Sequence, residues 1–219
     1  MRNLRRHLLG VPQGNLRDRS IAKLALFSHL LHQQPKGSGK IYVLHEPEVG
    51  YISKDKARVR YAFGCKVSIA TTLDEGFVVG MRSMPSNPYD EHTLREALEQ
   101  VEILTDQRPE LAVVDRGYCG HGAEKTRVLI SGSRRGLGPK LIADLRRRSA
   151  IEAEIGHMKT DGRLSRCRLK GVIGDALFAV LCACGHSICK ILDHLRALLA
   201  LIIAVLSAPE ISLTDAIRP

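Results

Sequence analysis

The sequence predicts an α/β fold, in which a sheet of short strands is covered by helices. Two observations support this prediction. Short apolar or alternating runs, broken by Gly, Pro and Asp, recur between residues 41 and 130, as expected of strands. Segments with apolar residues at helical spacing lie among and after these runs. Such alternation is typical of a sheet with helices on its faces, and 219 residues suffice to bury a core.

The first 40 residues form a basic, leucine-rich segment followed by a linker. A short amphipathic helix is predicted here, with Asp18 or Ser20 as its N-cap. Its apolar face comprises Ile21, Leu24, Phe27 and Leu31. The run PKGSGK at residues 35–40 favours a flexible joint. It lacks the pattern of a phosphate-binding loop, because Ile41 follows its last lysine where Ser or Thr is required.

The middle of the chain is predicted to be rich in strands. Four short strands are expected at residues 41–44, 59–63, 66–72 and 77–83. A hairpin turn at residues 74–76 joins the last two. Apolar residues at helical spacing then predict a helix from Leu94 to Leu104, with Asp90 as its N-cap.

The C-terminal half begins with two more strands and is otherwise predicted to be helical. Residues 111–114 are continuously apolar, as in a buried central strand, and residues 128–130 form another short run. Helical spacing predicts one helix over residues 141–159. A basic loop follows at residues 160–171, and the strongly apolar residues 172–207 predict two packed helices.

The charge of the chain indicates an anionic partner. The formal net charge is +10 and the isoelectric point is about 9.6, so nucleic acid is the first candidate. The alternative is a basic globular protein without such a partner. Residues 1–10 lack the apolar run of a secretory signal. The apolar run at residues 197–208 is too short to span a membrane, and we interpret it as a packing helix.

The six cysteines show no spacing typical of a disulfide framework, which favours a reducing, cytoplasmic location. Cys182, Cys184, His186 and Cys189 lie close together in sequence and raise the question of a zinc site. On a helix, however, these side chains fan around the axis and do not converge on one ion. The favoured interpretation is that of small buried thiols in an apolar helix.

Asp115 is the first candidate for a site residue. It follows a buried apolar strand directly, and open α/β sheets bind their ligands at the carboxyl ends of such strands. Gly117 allows the chain to turn away sharply, so that the carboxylate can face solvent and a metal ion. The alternative is that Asp115 only caps a turn.

A second set of candidates lies on the predicted helix 141–159. Arg148, Glu152 and Lys159 are spaced i, i+4 and i+11, which places them on one stripe, whereas Glu154 points to nearly the opposite side. One interpretation is a solvated salt-bridge face. The other is that Glu152 binds a divalent metal while the two cations bind DNA phosphates, and Gly156 in the stripe leaves room for a ligand.

Four ordered blocks of the sequence resemble bacterial insertion-sequence transposases of the insertion-sequence-five type. Arg148, Glu152 and Lys159 match the last three members of the Y-R-E-K signature of these proteins. The other blocks are residues 56–72, similar to the second-strand segment; residues 87–94, similar to the loop-to-helix segment; and residues 114–118, similar to the segment with the second catalytic aspartate. Together the blocks cover about residues 40–207.

The resemblance implies an RNase H-like fold, a mixed sheet with flanking helices, incomplete at the N-terminus and followed by C-terminal apolar helices. It also implies a triad of carboxylates in which Asp115 is the second acid and Glu152 the third. Both residues would be catalytic and would bind Mg²⁺ or Mn²⁺. The implied activity is DNA strand cleavage and strand transfer in transposition, by in-line displacement at phosphorus between two metal ions.

Two positions depart from the family pattern. Leu145 stands where the signature has its tyrosine. The first aspartate, which the family carries in an Asp-Thr-Thr-Val-Gln-like stretch, has no counterpart in residues 1–55, because neither Asp18 nor Asp55 follows an apolar strand. We therefore expect an N-terminally truncated copy whose metal site is one ligand short.

Cations follow the glutamate closely in sequence. The residues expected to bind DNA phosphates are Arg148, Lys159, Arg163, Arg166, Arg168 and Lys170. Arg134, Arg135 and Lys140 add to the positive charge after Asp115. The expected partner is double-stranded DNA, as transposon ends and target, since only 4% of residues are aromatic and a dedicated single-strand binder needs stacking side chains. The alternative is a solvated basic loop.

The predicted organisation has three parts: a basic segment and linker at residues 1–40, a partial RNase H-like catalytic domain with C-terminal helices at 41–207, and a tail at 208–219. Three hypotheses follow. The chain is a transposase catalytic domain, degenerate or truncated; a non-catalytic DNA-binding remnant that modulates an intact transposase; or an unrelated basic α/β protein. The first two predict a nucleoid-associated bacterial protein that forms a homo-oligomer or associates with full-length transposase.

Overall fold

The computed structural model describes residues 2–53, 60–132 and 136–207. Helices in this part of the chain are α1 (Arg2–Leu9), α2 (Asn15–His32), α3 (Leu94–Thr105), α4 (Pro139–Arg147), α5 (Ala150–Thr160) and α6 (Gly171–Leu206). Strands are β1 (Gly50–Ser53), β2 (Tyr61–Gly64), β3 (Lys66–Thr71), β4 (Val78–Met84), β5 (Leu111–Val114) and β6 (Arg127–Ile130). Short 3₁₀ turns lie at Asp90–His92 and Arg116–Tyr118. The predicted α/β class is confirmed.

The described strands form three separate pairs. β1 and β2 are antiparallel, with Gly50 opposite Gly64, and β3 and β4 are antiparallel, with Lys66 opposite Met84. β5 and β6 are parallel. No strand of the described residues joins these pairs into one sheet. The single RNase H-like sheet expected from the family resemblance therefore stays a prediction.

The β3–β4 hairpin is built as the sequence predicts. Its turn contains Gly76 at a φ of 72°, a backbone conformation that favours glycine. The Thr72 hydroxyl accepts a hydrogen bond of 3.0 Å from the Phe77 N–H and closes the turn. A register shift between Ala70 and Thr71 interrupts the ladder near this end.

Helices cover both faces of this hairpin. Neighbouring residues of a strand point to opposite faces. Gly80 on β4 faces α3, where a Cβ would lie 3.0 Å from the Val101 side chain. The next residue, Met81, belongs to a buried cluster with Met158 of α5 and with Ala179, Cys182 and Ala183 of α6. The hairpin is therefore sandwiched between α3 and the α5–α6 pair.

A second buried cluster lies around the β5–β6 pair. It consists of Leu94 and Leu98 of α3 with Val114 of β5, and half-buried side chains of β6 pack against it. The two clusters have no residue in common. The core of the described region is thus divided into two parts, one at the β3–β4 pair and one at the β5–β6 pair.

The strand predicted at residues 41–44 does not form, and β1 lies further along the chain. The side-chain amide of Gln33 explains this difference. It donates to the Ile41 carbonyl at 3.2 Å and accepts from the Ile41 N–H at 3.1 Å, so both backbone groups of that residue are satisfied without a strand partner.

The prediction of one helix over residues 141–159 is wrong, because α4 ends at Arg147 and α5 begins at Ala150. Ser149 marks the break. Its hydroxyl and its N–H both donate to the Arg146 carbonyl, at 2.7 and 3.2 Å, and these local bonds replace the regular helical pattern. Arg148 therefore lies between two helices.

Two predicted N-caps are also wrong. α3 begins after Thr93, and Asp90 belongs to the preceding 3₁₀ turn, where its carbonyl accepts from the Thr93 N–H at 3.0 Å. α2 is longer than predicted and begins after Gly14, so that Asp18 falls within its first turn.

Residues 171–206 form the single helix α6 of 36 residues, so the prediction of two packed C-terminal helices is wrong. Its first half packs on β4 through Ala179, Cys182 and Ala183. Apolar side chains from Ile188 to Leu206 are exposed. Cys184 and Cys189, expected to be buried, are exposed as well, although Cys182 is buried. Among the helices described, none has the length and apolar character needed to cross a membrane.

Some of the sequence predictions fall outside the described residues. These are the start of the 56–72 block with its strand from residue 59, the loop containing Asp55, the cations Arg134 and Arg135, and the tail at 208–219.

We expect Met158→Ala to lower the free energy of unfolding by about 2–5 kcal/mol, because it leaves a cavity in the larger core cluster. Met158 is only 1% exposed. The matched control is Leu181→Ala on α6, whose side chain is largely exposed; it should change the same free energy by no more than about 0.5 kcal/mol. Urea denaturation measures both. Equal effects of the two substitutions would contradict this description of the core.

Candidate active site

Asp115 lies where β5 ends, at the first position of a tight turn. Its carboxylate accepts hydrogen bonds from the Arg116 N–H at 2.7 Å and from the Ser131 hydroxyl at 3.0 Å. Ser131 is in reach because β5 and β6 are parallel and pair Val114 with Ile130, so the residues that follow the two strands lie side by side. The alternative prediction, that Asp115 caps a turn, is therefore correct for one of its two carboxylate oxygens, Oδ1.

The second oxygen of Asp115 points to Arg148. The Arg148 Nη2 lies 3.2 Å from the Asp115 Oδ2 and 3.6 Å from the Glu152 Oε1. The separation between Asp115 Oδ2 and Glu152 Oε1 therefore cannot exceed the sum of these two distances. Residues 37 positions apart in sequence, on different elements, thus converge on one cation. The Asp115 and Glu152 side chains are 55% and 68% exposed, so solvent ions can reach both.

Glu154 is engaged elsewhere. Its carboxylate accepts a hydrogen bond of 2.7 Å from the Lys190 ammonium group on α6. The His186 Nε2 lies 3.0 Å from the other oxygen, although the two groups are not aligned for a hydrogen bond. Glu154 therefore fixes α5 to α6, while Glu152 is directed to Arg148 and Asp115.

The environment of Asp115 lowers the pKa of its carboxyl group. The largest cause is the hydrogen bond from the Arg116 backbone, and the Ser131 hydroxyl and the charges of Arg148 and Arg116 act in the same direction, against a smaller opposing effect of burial. The group is consequently ionised at neutral pH, which is the state that a metal ligand requires.

Both acids can serve as ligands of a hard divalent cation. Mg²⁺ prefers oxygen ligands and is often held by one or two carboxylates together with substrate phosphates. Asp115 and Glu152 fit that arrangement. In the described ranges, no group of three or more His, Cys, Asp or Glu side chains is placed to hold a metal ion.

The cations predicted to bind DNA are divided into two sets. Arg148 is largely buried in its ion pairs with the two acids. The other five, which we call the basic segment, are exposed: Lys159, Arg163, Arg166, Arg168 and Lys170. Lys159 follows Glu152 by seven residues on α5, on the same face and about 10 Å along the axis. None of the five forms an ion pair with another described residue.

One polar network beside the site was not found from the sequence. The Lys66 ammonium group donates to the Pro88 carbonyl at 2.8 Å and to the Asp90 carboxylate at 3.0 Å. Asn87 accepts from the Lys66 N–H at 2.7 Å and donates to the Gly64 carbonyl at 3.1 Å. The sequence feature that could have revealed this network is a lysine, Lys66, at the start of an apolar strand. The network fixes the 87–90 loop against β3.

Comparison with known proteins supports one family. Residues 32–128 match the family model described as Transposase DDE domain. This match supports a DDE transposase. It includes Asp115 and ends before Arg148, Glu152 and the basic segment. Neither the curated proteins nor the solved structures gave a match.

We expect Ser131→Ala to raise the pKa of the Asp115 carboxyl group, because it removes one of the hydrogen bonds that stabilise the ionised form. The matched control is Ser149→Ala, whose hydroxyl bonds to Arg146 instead. A carboxyl-detected NMR titration measures the pKa. Since the folded-state pKa is lowered, the Asp115–Arg148 pair should persist as pH falls through the ordinary Asp range and be lost only below it. An unchanged pKa in Ser131→Ala would contradict the geometry described.

Proposed function

We propose that this chain carries a DDE transposase site in which Asp115 and Glu152 together bind a divalent cation. The observation that carries the proposal is the contact of Arg148 with both carboxylates, at 3.2 and 3.6 Å, which requires the two acids to lie at one place. The family match over residues 32–128 supports the same conclusion for the part of the site that contains Asp115.

The cation would supply Lewis-acid stabilisation of the attacking and leaving oxygens during displacement at a DNA phosphate. The residues of the chain have separate roles in this proposal. Asp115, kept ionised by its hydrogen bonds, and Glu152 hold the ion. Arg148 offsets half of the negative charge of the two acids before the ion binds, and its guanidinium would then be free to bind a phosphate oxygen.

The basic segment is proposed to bind the DNA backbone next to the site. Its five side chains are exposed and follow Glu152 closely in sequence. Exposed cations that contact phosphates release counterions, so that affinity falls steeply with salt. The net charge of +10 favours the same kind of partner. A bacterial, nucleoid-associated location belongs to this proposal.

The finer assignment is to the insertion-sequence-five type, from the four sequence blocks and the Arg148, Glu152 and Lys159 spacing. We also propose that this copy is degenerate in its signature, because Leu145 replaces the tyrosine and the break between α4 and α5 follows it.

The second candidate function is DNA binding without catalysis, in association with an intact transposase. The exposed basic segment, which forms no ion pair with other described residues, favours it, because DNA binding needs these cations and no metal. Both candidates use the basic segment in the same way. They differ only in metal-dependent strand cleavage.

The catalytic candidate predicts that the purified chain nicks plasmid DNA carrying the ends of the element in the presence of Mg²⁺ or Mn²⁺. Asp115→Asn and Glu152→Gln should each reduce nicking to the metal-free background, because each removes a charged ligand of the ion. Asp193→Asn is the matched control, since Asp193 is an exposed acid of α6 that pairs only with Arg196 among the residues described. Binding to the same DNA is measured at low and high salt.

The outcomes separate the two candidates. Nicking that is lost in both site variants and kept in the control supports the catalytic proposal. Salt-sensitive binding without nicking supports the DNA-binding candidate. A chain that does not bind DNA at low salt contradicts both.

A further inference from the structure

The antiparallel pair of β1 and β2 has two unlike faces. Residues that lie opposite each other in such a pair point to the same face. Tyr51 lies opposite Phe63, and Ser53 lies opposite Tyr61, so these four side chains share one face, and all four are exposed. The other face carries glycine, alanine and isoleucine and is half-buried. The pair therefore turns its small side chains inward and its large rings outward.

The exposed face is aromatic, although the solvent-facing side of an antiparallel pair is normally polar. Tyr51, Tyr61 and Phe63 are 51%, 58% and 60% exposed. Tyr42 adds a fourth exposed ring, whose centroid lies 5.5 Å from those of Tyr51 and Phe63, and the Tyr51 and Tyr61 centroids are 6.3 Å apart. We call these four rings the aromatic face. A contiguous exposed apolar group of this kind marks an interaction site.

The surroundings of the aromatic face are rich in cations. Residues 54–60, which join β1 to β2, contain four cations and one acid, and Arg60, next to Tyr61, is exposed. The basic segment ends at Lys170. A Cβ on the following residue, Gly171, would lie 3.7 Å from a carboxylate oxygen of Glu48, two residues before β1. The end of the basic segment is therefore next to the start of this strand pair.

The loop that contains Asn87 and Asp90 connects the strand pair to the candidate active site. The Asn87 side chain donates to the Gly64 carbonyl at the end of β2, at 3.1 Å. The Asp90 carboxylate lies against Gly117, two residues after Asp115. The aromatic face thus belongs to the element that this loop holds beside the site.

We propose that the aromatic face binds the bases of an unpaired DNA strand. The proposal rests on the proposed DNA-binding function and extends it from the phosphate backbone to accessible bases. Stacking on aromatic rings needs bases that are not stacked in a duplex, and it tolerates any sequence because every base has a π-face. The adjoining cations favour a polyanion over an apolar protein surface as the occupant. The low aromatic content of the whole chain is no obstacle, because three of its five tyrosines and one of its four phenylalanines are gathered here.

Two oligonucleotides of equal length separate base stacking from phosphate binding. The probe is an oligothymidylate strand of about 12 nucleotides, within the range that single-strand binding folds cover. The control strand has a stable abasic residue in place of every nucleotide, so it keeps the phosphates and lacks the bases. Anisotropy of a dye-labelled strand gives the affinity, in EDTA so that metal-dependent cleavage does not contribute. The chain has no tryptophan, so quenching of its tyrosine fluorescence by a stacked base is measured directly.

We expect the parent chain to bind the thymidylate strand at least about tenfold more tightly than the abasic strand, and only the former to quench tyrosine fluorescence. Tyr51→Leu, which keeps an apolar side chain without a ring, should weaken thymidylate binding at least about fivefold and leave abasic binding unchanged. Tyr51→Phe keeps the ring and should bind both strands like the parent. Phe27→Leu is the matched control, because Phe27 is an exposed aromatic residue of α2.

Equal affinity of the parent chain for the two strands overturns the proposal, and so does the absence of binding to either strand. Thymidylate binding that is unchanged in Tyr51→Leu overturns it as well. If that variant instead sediments as a smaller particle than the parent, the aromatic face is a contact between copies of the chain, and the proposal is wrong. None of these results bears on metal-dependent nicking, which tests the proposed active site separately.

Discussion

The position of α5 is the constraint on which the rest of the site depends. Met158 anchors this helix in the core beneath β4, and Glu154 ties it to Lys190 of α6. With those two residues fixed, helical geometry leaves Glu152 on the side that faces Asp115. The break before α5 places Arg148 between two helices, where its guanidinium contacts both acids. A core residue and a structural ion pair thereby determine where two exposed carboxylates meet.

The positions of the two acids could be predicted from the sequence, whereas the break that positions Arg148 could not. Local sequence spacing singles out Asp115, at the end of an apolar strand, and favours Glu152 over Glu154. The structure brings Asp115 and Glu152 together. The contact of Arg148 with Asp115 was not predicted. The spacing of Arg148, Glu152 and Lys159 presumes a continuous helix, whereas the Ser149 hydroxyl and N–H both bond to the Arg146 carbonyl and interrupt it. Pairing of β3 with β4 was foreseen, whereas the side-chain contacts of Gln33 that prevent a strand at residues 41–44 were not.

The divided core and the paired carboxylates belong to one description of the molecule. The cleft between β3 and β5 is lined by apolar side chains of α3 and α5 and also by Asp115 and Glu152. The apolar core and the proposed metal site therefore adjoin the same cleft.

The most direct test of the central claim is whether Asp115 and Glu152 bind the same ion. Mn²⁺ affinity is measured by electron paramagnetic resonance for the parent chain, for Asp115→Asn, for Glu152→Gln and for the double variant. We expect each single change to weaken binding by at least about tenfold, the scale of losing a partner in a metal site. The double variant should lose less than the two single effects combined, as for residues that share one ligand. Mn²⁺ affinity that is unchanged in either single variant, or effects that simply add, would contradict a shared site.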